Sequence, residues 1–234
     1  MALRINTNVA ALNAHRQLLL TEVGMNKSMQ KLSSGYRINN AGDDASGLVQ
    51  ANKLRSDIRV LKVEAQNTIQ DKSALSIAEG DANTIENILE RMLELSVKST
   101  ANGGADETAA EFLALATEMT RIAGESTNTA VQALDATTLG VATIAVGETA
   151  IRDAIDDVGA VLGDIGAEMN TLEFTYANLQ TKIENYSAAE SAIRDVDMAA
   201  EMVNFTKSQI MLQAGTAMLA QANMSSQVVL SLFG

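Results

Sequence analysis

Not one proline occurs in this chain of 234 residues, where average usage would place about twelve. Proline removes a helix-interior N–H and clashes with the preceding turn, so a chain without it can run helices of any length. Tryptophan and cysteine are also missing, and aromatics make up only 3% of the residues. The 47% hydrophobic fraction is therefore almost all Ala, Leu, Ile, Val and Met. These residues favour helices and lack bulk, which suits helices packed side by side rather than a thick globular core. The fold class expected is mainly α, an elongated antiparallel helical bundle or coiled coil.

Apolar spacing predicts four helical tracts. In the first, Ile5, Val9, Leu12 and Leu19 form one stripe, while Leu18, Met25, Met29 and Leu32 form a second. Two stripes on one helix predict contacts on more than one side. Ser33-Ser34-Gly35 should end this helix, with Gly35 as a left-handed cap. The second tract starts near Asp43-Asp44 and carries a heptad seam at Leu75, Ala78, Ala82, Ile85, Leu89 and Met92. Run on to about Lys98, it would be roughly 80 Å long at ~1.5 Å per residue. Asn102-Gly103-Gly104 signals a turn into a shorter helix over Asp106–Gly124, whose apolar face is Phe112, Leu115, Met119 and Ile122. Between 128 and 147 the composition shifts to Ala, Thr and Val, and Thr143-Ile144-Ala145-Val146 reads as a strand of a small β-hairpin. A fourth tract begins near Thr149, breaks around Arg194–Asp197, and gives way to a terminal helix.

Charge is unevenly distributed. Of a net −12, residues 1–37 hold five cations against Glu22, a local +4, and residues 208–234 hold no charge at all. The middle is therefore −16 (that is, −12 − 4), which argues against a nucleic-acid partner because phosphates require a basic face. Without cysteine there is no disulfide, thiolate metal site or thiol nucleophile. A single histidine, His15, excludes a two-histidine metal site, and it reads as a surface or interface residue. Gly159, Gly163 and Gly166 sit in a helical pattern with no preceding strand, so they read as small residues for close helix packing rather than a phosphate loop. Asp43-Asp44 and Asp195-Val196-Asp197 are suited to helix capping or to pairing with Arg37 or Arg194, without a metal. No catalytic residue, metal ligand or cofactor site is expected.

The charge-free stretch Ser208–Gly234 points to an assembly surface. Its apolar residues cover several faces, and a lone helix of that kind would be an aggregation hazard. Gln209, Gln213, Gln221, Asn223 and Gln227 are too many amides for a bilayer centre, and no basic border suits a membrane-surface anchor. Neither membrane insertion nor a signal peptide is expected, since Asn6, Thr7, Asn8 and Asn13 interrupt any leading apolar run.

The chain resembles a bacterial flagellin. Near the start the resemblance is carried by Arg4-Ile5-Asn6-Thr7-Asn8, Leu32-Ser33-Ser34-Gly35-Tyr36-Arg37-Ile38-Asn39 and Asp43-Asp44-Ala45-Ser46-Gly47. Near the end it is carried by Asp164-Ile165-Gly166-Ala167, Ile193-x-Asp195-x-Asp197, Gln213-Ala214-Gly215, Leu219-Ala220-Gln221-Ala222-Asn223 and Val229-Leu230-Ser231-Leu232. It is similar to a short form: only about 20 residues separate the helical tracts, so the family's variable outer domains are absent. The family's Phe-Asn-Gly turn is replaced by Asn128-Thr129-Ala130, and Ser225-Ser226 stands where the family often has proline.

The resemblance implies a structural subunit of the flagellar filament, a helical homopolymer outside the cell used for motility. A hook–filament junction or cap-type protein with the same terminal helices is the alternative. It implies residues 1–41 as an inner-tube helix and connector, 42–190 as the rod-like core, and 191–234 as the second inner-tube helix. Ile5, Val9, Leu12, Leu19, Ile210, Leu212, Leu219 and Leu230 are the implied assembly residues. Export without a cleaved signal peptide, an export chaperone and a filament cap are implied in turn. Finally, Glu90–Val97 resembles the patch sensed by the vertebrate flagellin-sensing Toll-like receptor, which implies Arg91, Leu95 and, on the short helix, Glu111 as contacts.

Overall fold

The computed structural model describes residues 8–102, 105–143 and 147–233. Six helices follow one another: α1 (Val9–Ser34), α2 (Ala45–Asn102), α3 (Ala105–Glu125), α4 (Thr129–Gln132), α5 (Glu148–Arg194) and α6 (Met198–Phe233). The chain divides into two compact units. One comprises residues 1–58 and 184–234, the other residues 59–183.

In the first unit α1 packs against α6. The residues of α1 turned away from solvent are Ala11, Ala14, Leu18, Thr21, Met25, Ser28 and Leu32, spaced alternately by 3 and 4. Those of α6 are Glu201, Phe205, Ser208, Leu212, Gly215, Leu219 and Ala222, in the same alternation. This is a heptad seam made largely of small residues, which lets the two backbones approach closely. A Cβ added at Gly215 would already touch Leu18, at 3.6 Å. Asn8 caps α1, accepting from the Ala11 N–H at 3.0 Å, and its amide also donates to the Ala222 carbonyl of α6 at 3.0 Å.

Gly35 ends α1 in the left-handed region, φ +74°, with its N–H on the Lys31 carbonyl. The connectors after α1 and after α5 then lie side by side. Tyr36 and Asp195 form an isolated antiparallel bridge, the Arg37 N–H donates to the Arg194 carbonyl at 2.7 Å, and the Val196 N–H donates to the Gly35 carbonyl at 3.0 Å. The Arg37 guanidinium adds a bond to the Ile193 carbonyl.

One aspartate of each acidic cluster serves as a helix cap. Asp44 accepts from the Gly47 N–H at 2.9 Å and from the Ser46 hydroxyl, while Asp43 accepts from the N–H groups of Asn39 and Asn40. These backbone donors hold both carboxyls below the usual aspartate range. Asp197 caps α6 through the Ala199 and Ala200 N–H groups. Gly47 has no room for a side chain: a Cβ there would collide with the Asp44 carboxylate and lie 2.7 Å from Cδ1 of buried Ile38.

In the second unit the expected seam is the core. Leu75, Ala78, Ala82, Ile85, Leu89 and Met92 of α2 are buried with Phe112, Ala116, Met119 and Ala123 of α3 and Ile151, Ala154, Val158 and Ile165 of α5. The segment between α3 and α5 covers one end with Val131, Leu134, Ala136 and Val141. Two expectations need correction here. The β-hairpin over 128–147 is not found: among the described residues this segment is a single helical turn followed by tight turns, and no strand occurs. The Asn128 side chain takes the Ala130 N–H and the Asp135 carboxylate takes the N–H groups of Thr137 and Thr138, so these donors are unavailable for a ladder. Ile144, Ala145 and Val146 of the expected strand lie outside the described residues. The close packing expected at Gly159, Gly163 and Gly166 is also not found among the described residues, where a Cβ at each would meet no neighbouring element within 4 Å.

Candidate assembly surface

The α1–α6 pair covers its seam and leaves many of its other large apolar side chains outside. On α1, Val9, Leu12 and Leu19 are exposed by 56, 60 and 47%, together with Leu20, Val23 and Met29. On α6, Ile210 is 60% exposed, with Met198, Met202, Val203, Met211 and Met218 beside it. Isolated exposed leucines are ordinary, but contiguous rows on two paired helices are a surface prepared for burial. Of the assembly residues read from the sequence, Val9, Leu12, Leu19 and Ile210 thus face outward, whereas Leu212 and Leu219 are half-buried in the seam between the helices. Ile5 and the side chain of Leu230 lie outside the described residues.

Two concavities mark the surface. A groove of about 330 Å³ runs between the paired helices, walled by Ala14, Leu18 and Thr21 on one side and Met211, Gly215 and Met218 on the other. A second, of about 470 Å³, lies along α6 between Met202, Val203, Ile210 and Met211. Methionine is unbranched and polarizable, so a row of it can adapt to whatever helix it meets.

The three residues singled out by the receptor resemblance fall at two depths. Arg91 and Glu111 are brought together: Nε and Nη2 of Arg91 donate to one Glu111 oxygen at 3.0 and 2.8 Å, and Nη1 donates to Glu94 at 2.8 Å. The Glu111 carboxylate first, and Glu94 after it, hold the guanidinium in its charged form and raise its pKa. Leu95 is only 2% exposed and belongs to the core beneath. The Arg91–Glu111 pair was not legible from sequence, because it joins two helices across a turn rather than two positions on one helix.

Among the described residues no three His, Asp or Glu side chains gather to hold a metal ion, and no helix is long and apolar enough to cross a membrane. The geometry thus offers one outward apolar surface on the α1–α6 pair, while Arg91 is one of several exposed arginine forks, Arg121 with Glu118 and Glu125 being another.

Comparison with known proteins shows the kind of molecule. The helical region at the N-terminus of bacterial flagellin matches residues 5–130, and the corresponding C-terminal helical region matches residues 149–233. The flagellar filament 33 kDa core protein of Treponema phagedenis is 38% identical, over 97% of this chain and 99% of its own length. A flagellin of Halalkalibacterium halodurans is 38% identical over 97% and 98%. A flagellin of Bacillus subtilis is 32% identical over 98% and 99%. The alignment with the Treponema protein runs to 285 positions against a chain of 234, so that relative carries segments this chain lacks.

Proposed function

Because the chain belongs to the bacterial flagellin family, it is a structural subunit of the flagellar filament, and we propose that it enters that filament through the outward faces of α1 and α6. The single observation that carries this reading is that the pair leaves Val9, Leu12, Leu19, Ile210 and Met218 in water on helices already joined by a seam. At about 25 cal/mol per Å² of apolar area, covering such rows in every subunit is a strong drive to polymerise. Residues 1–41 and 191–234 are the assembly part under this reading, and 42–190 the core that carries them.

The finer points follow from the same surface. Before assembly the charge-free stretch 208–234 needs cover, which suits an export chaperone, and growth at a distal end suits a filament cap. The place of work is the extracellular filament, reached by export without a cleaved signal peptide. Arg91 and Glu111 offer the vertebrate flagellin-sensing receptor an exposed charged fork, with Leu95 supporting it from below.

The test is polymerisation of the purified chain. Long, uniform filaments in negative stain are expected from seeds of sheared filament. Assemblies that stop at a ring or short collar would favour a hook–filament junction protein instead, and a persistent monomer would overturn the reading.

A further inference from the structure

We infer that neighbouring copies of this chain dock head-to-tail by seating the basic stretch Lys53–Lys62 of α2 against an acidic row on α5, a contact that rests on the filament reading and gives it a direction. From its third turn helix α2 carries Lys53, Arg55, Arg59 and Lys62 against a lone Asp57, a net +3 over residues 53–62. Arg55 is engaged by Glu190, at 3.0 Å. Arg59 and Lys62, three residues apart on one face, are exposed and make no ion pair among the described residues. On α5, residues 153–181 carry six carboxylates and no cation. Asp153, Asp157, Asp164 and Glu168, spaced 4, 7 and 4 apart, make one exposed row, and none of them has a charged partner among the described residues either.

The two sets cannot satisfy each other within one molecule. Lys72 pairs with Glu173 at 3.0 Å and fixes the level of α2 against α5. From that level Arg59 and Lys62 lie 10 to 13 residues one way, and Asp164 and Asp157 lie 9 to 16 residues the other way along the antiparallel partner. At ~1.5 Å per residue the separation is about 30–45 Å, beyond the reach of any side chain. A neighbour displaced along the helices by that distance brings its cations onto this acidic row. Ala160, Gly163 and Ala167 lie beside the row, and among the described residues no other element comes within 4 Å of a Cβ built on Gly163, so a neighbouring helix can approach closely. Such a contact uses different patches on its two sides. It is therefore heterologous, and repeated without closing it generates a helical polymer with a direction.

Charge exchange tests it. R59E/K62E makes both patches acidic, and D157K/D164K/E168K makes both basic; all five side chains are exposed, and matching helical circular dichroism and melting of the monomers serve as the fold control. Each variant alone should lose at least about tenfold in sedimentable polymer, since like-charge juxtaposition opposes docking. An equimolar mixture should recover filaments by alternation, and all five changes in one chain should restore self-assembly. Either single set polymerising normally, or neither the mixture nor the fivefold variant regaining filaments, would overturn the docking mode. Failure of the unaltered chain to polymerise in the same assay would instead overturn the filament reading itself.

Discussion

The guanidinium of Arg194, the last residue of α5, lies 4.1 Å above the ring of Tyr36 in the connector after α1. Its Nε and Nη1 are buried with no hydrogen-bond acceptor among the described residues, and the nearest carboxylate, Glu190, stands 3.9 Å from Nη1 and is already engaged by Arg55. A buried cation without acceptors costs free energy unless another group stabilises it, and here the negative face of the Tyr36 ring does so. Tyr36→Ala is expected to destabilise this unit by about 1–2 kcal/mol, the range for a desolvated cation–π pair. Urea unfolding of the variant checks this, and an unchanged midpoint would show that the ring contributes only shape.

Acid should loosen the start of α2. The carboxyls of Asp43 and Asp44 titrate below their ordinary value of 3.8 because backbone N–H groups favour the charged form. Groups depressed in this way stabilise the fold above their unfolded value and lose that contribution as pH falls through the lower folded one. Stability should therefore decline below about pH 4, and Asp44→Asn should flatten the decline. Melting temperature measured from pH 6 to pH 2 tests both, and parallel curves for the two proteins would contradict the assignment.

Gly47→Ala should disrupt the same cap for a different reason. The new methyl would displace the Asp44 carboxylate or push against Ile38, which is 2% exposed. Overpacking of this kind costs about 1–3 kcal/mol. Faster amide exchange confined to residues 38–50 is the expected signature. Unaltered protection there would mean that the connector yields freely.

Removing residues 208–234 should abolish polymerisation while leaving the second unit folded, because that unit has a core of its own in Leu75, Leu89, Phe112, Met119 and Val158. Sedimentation and circular dichroism of the truncated chain decide the point. Filaments at normal yield would sink it.

Arg91→Ala should reduce receptor signalling by the monomer by about tenfold, the scale of an interface hot spot, while changing filament yield little. The guanidinium is not a free one: it arrives with Glu111 and Glu94 already attached. Glu111→Gln should therefore weaken signalling as well, by releasing Arg91 from its set orientation. Signalling unchanged in both variants, alongside lost filaments, would place the fork in assembly instead.

The long helices were legible because burial there follows large apolar residues at helical spacing, as Leu75 through Met92 show. The partner face of α1 was legible only in part, through the stripe Leu18, Met25 and Leu32. Its seam is Ala11, Ala14, Thr21 and Ser28 as much as Leu18 and Leu32, and small or hydroxyl side chains leave no hydrophobic signal even when backbones meet over them. The conspicuous stripe Val9–Leu12–Leu19 marks what a single molecule leaves uncovered. The turns over 128–143 were hidden for a similar reason: Asn128 and Asp135 capture nearby N–H groups, and such local capture competes with the strand propensity of the Thr and Val residues around it.

The bond from Asn8 to the Ala222 carbonyl spans 214 positions of sequence, and this has a consequence in time. A ribosome adding ~5–20 residues per second needs about 10–40 s to travel that distance. Throughout that interval the seam of the N-terminal helix waits for α6, the stretch it packs against, which has not yet been made. The two ends become a pair only when translation is complete. Until then α1 is a threadable strand of polypeptide, so the order in which the molecule is written keeps its oldest segment the last to close.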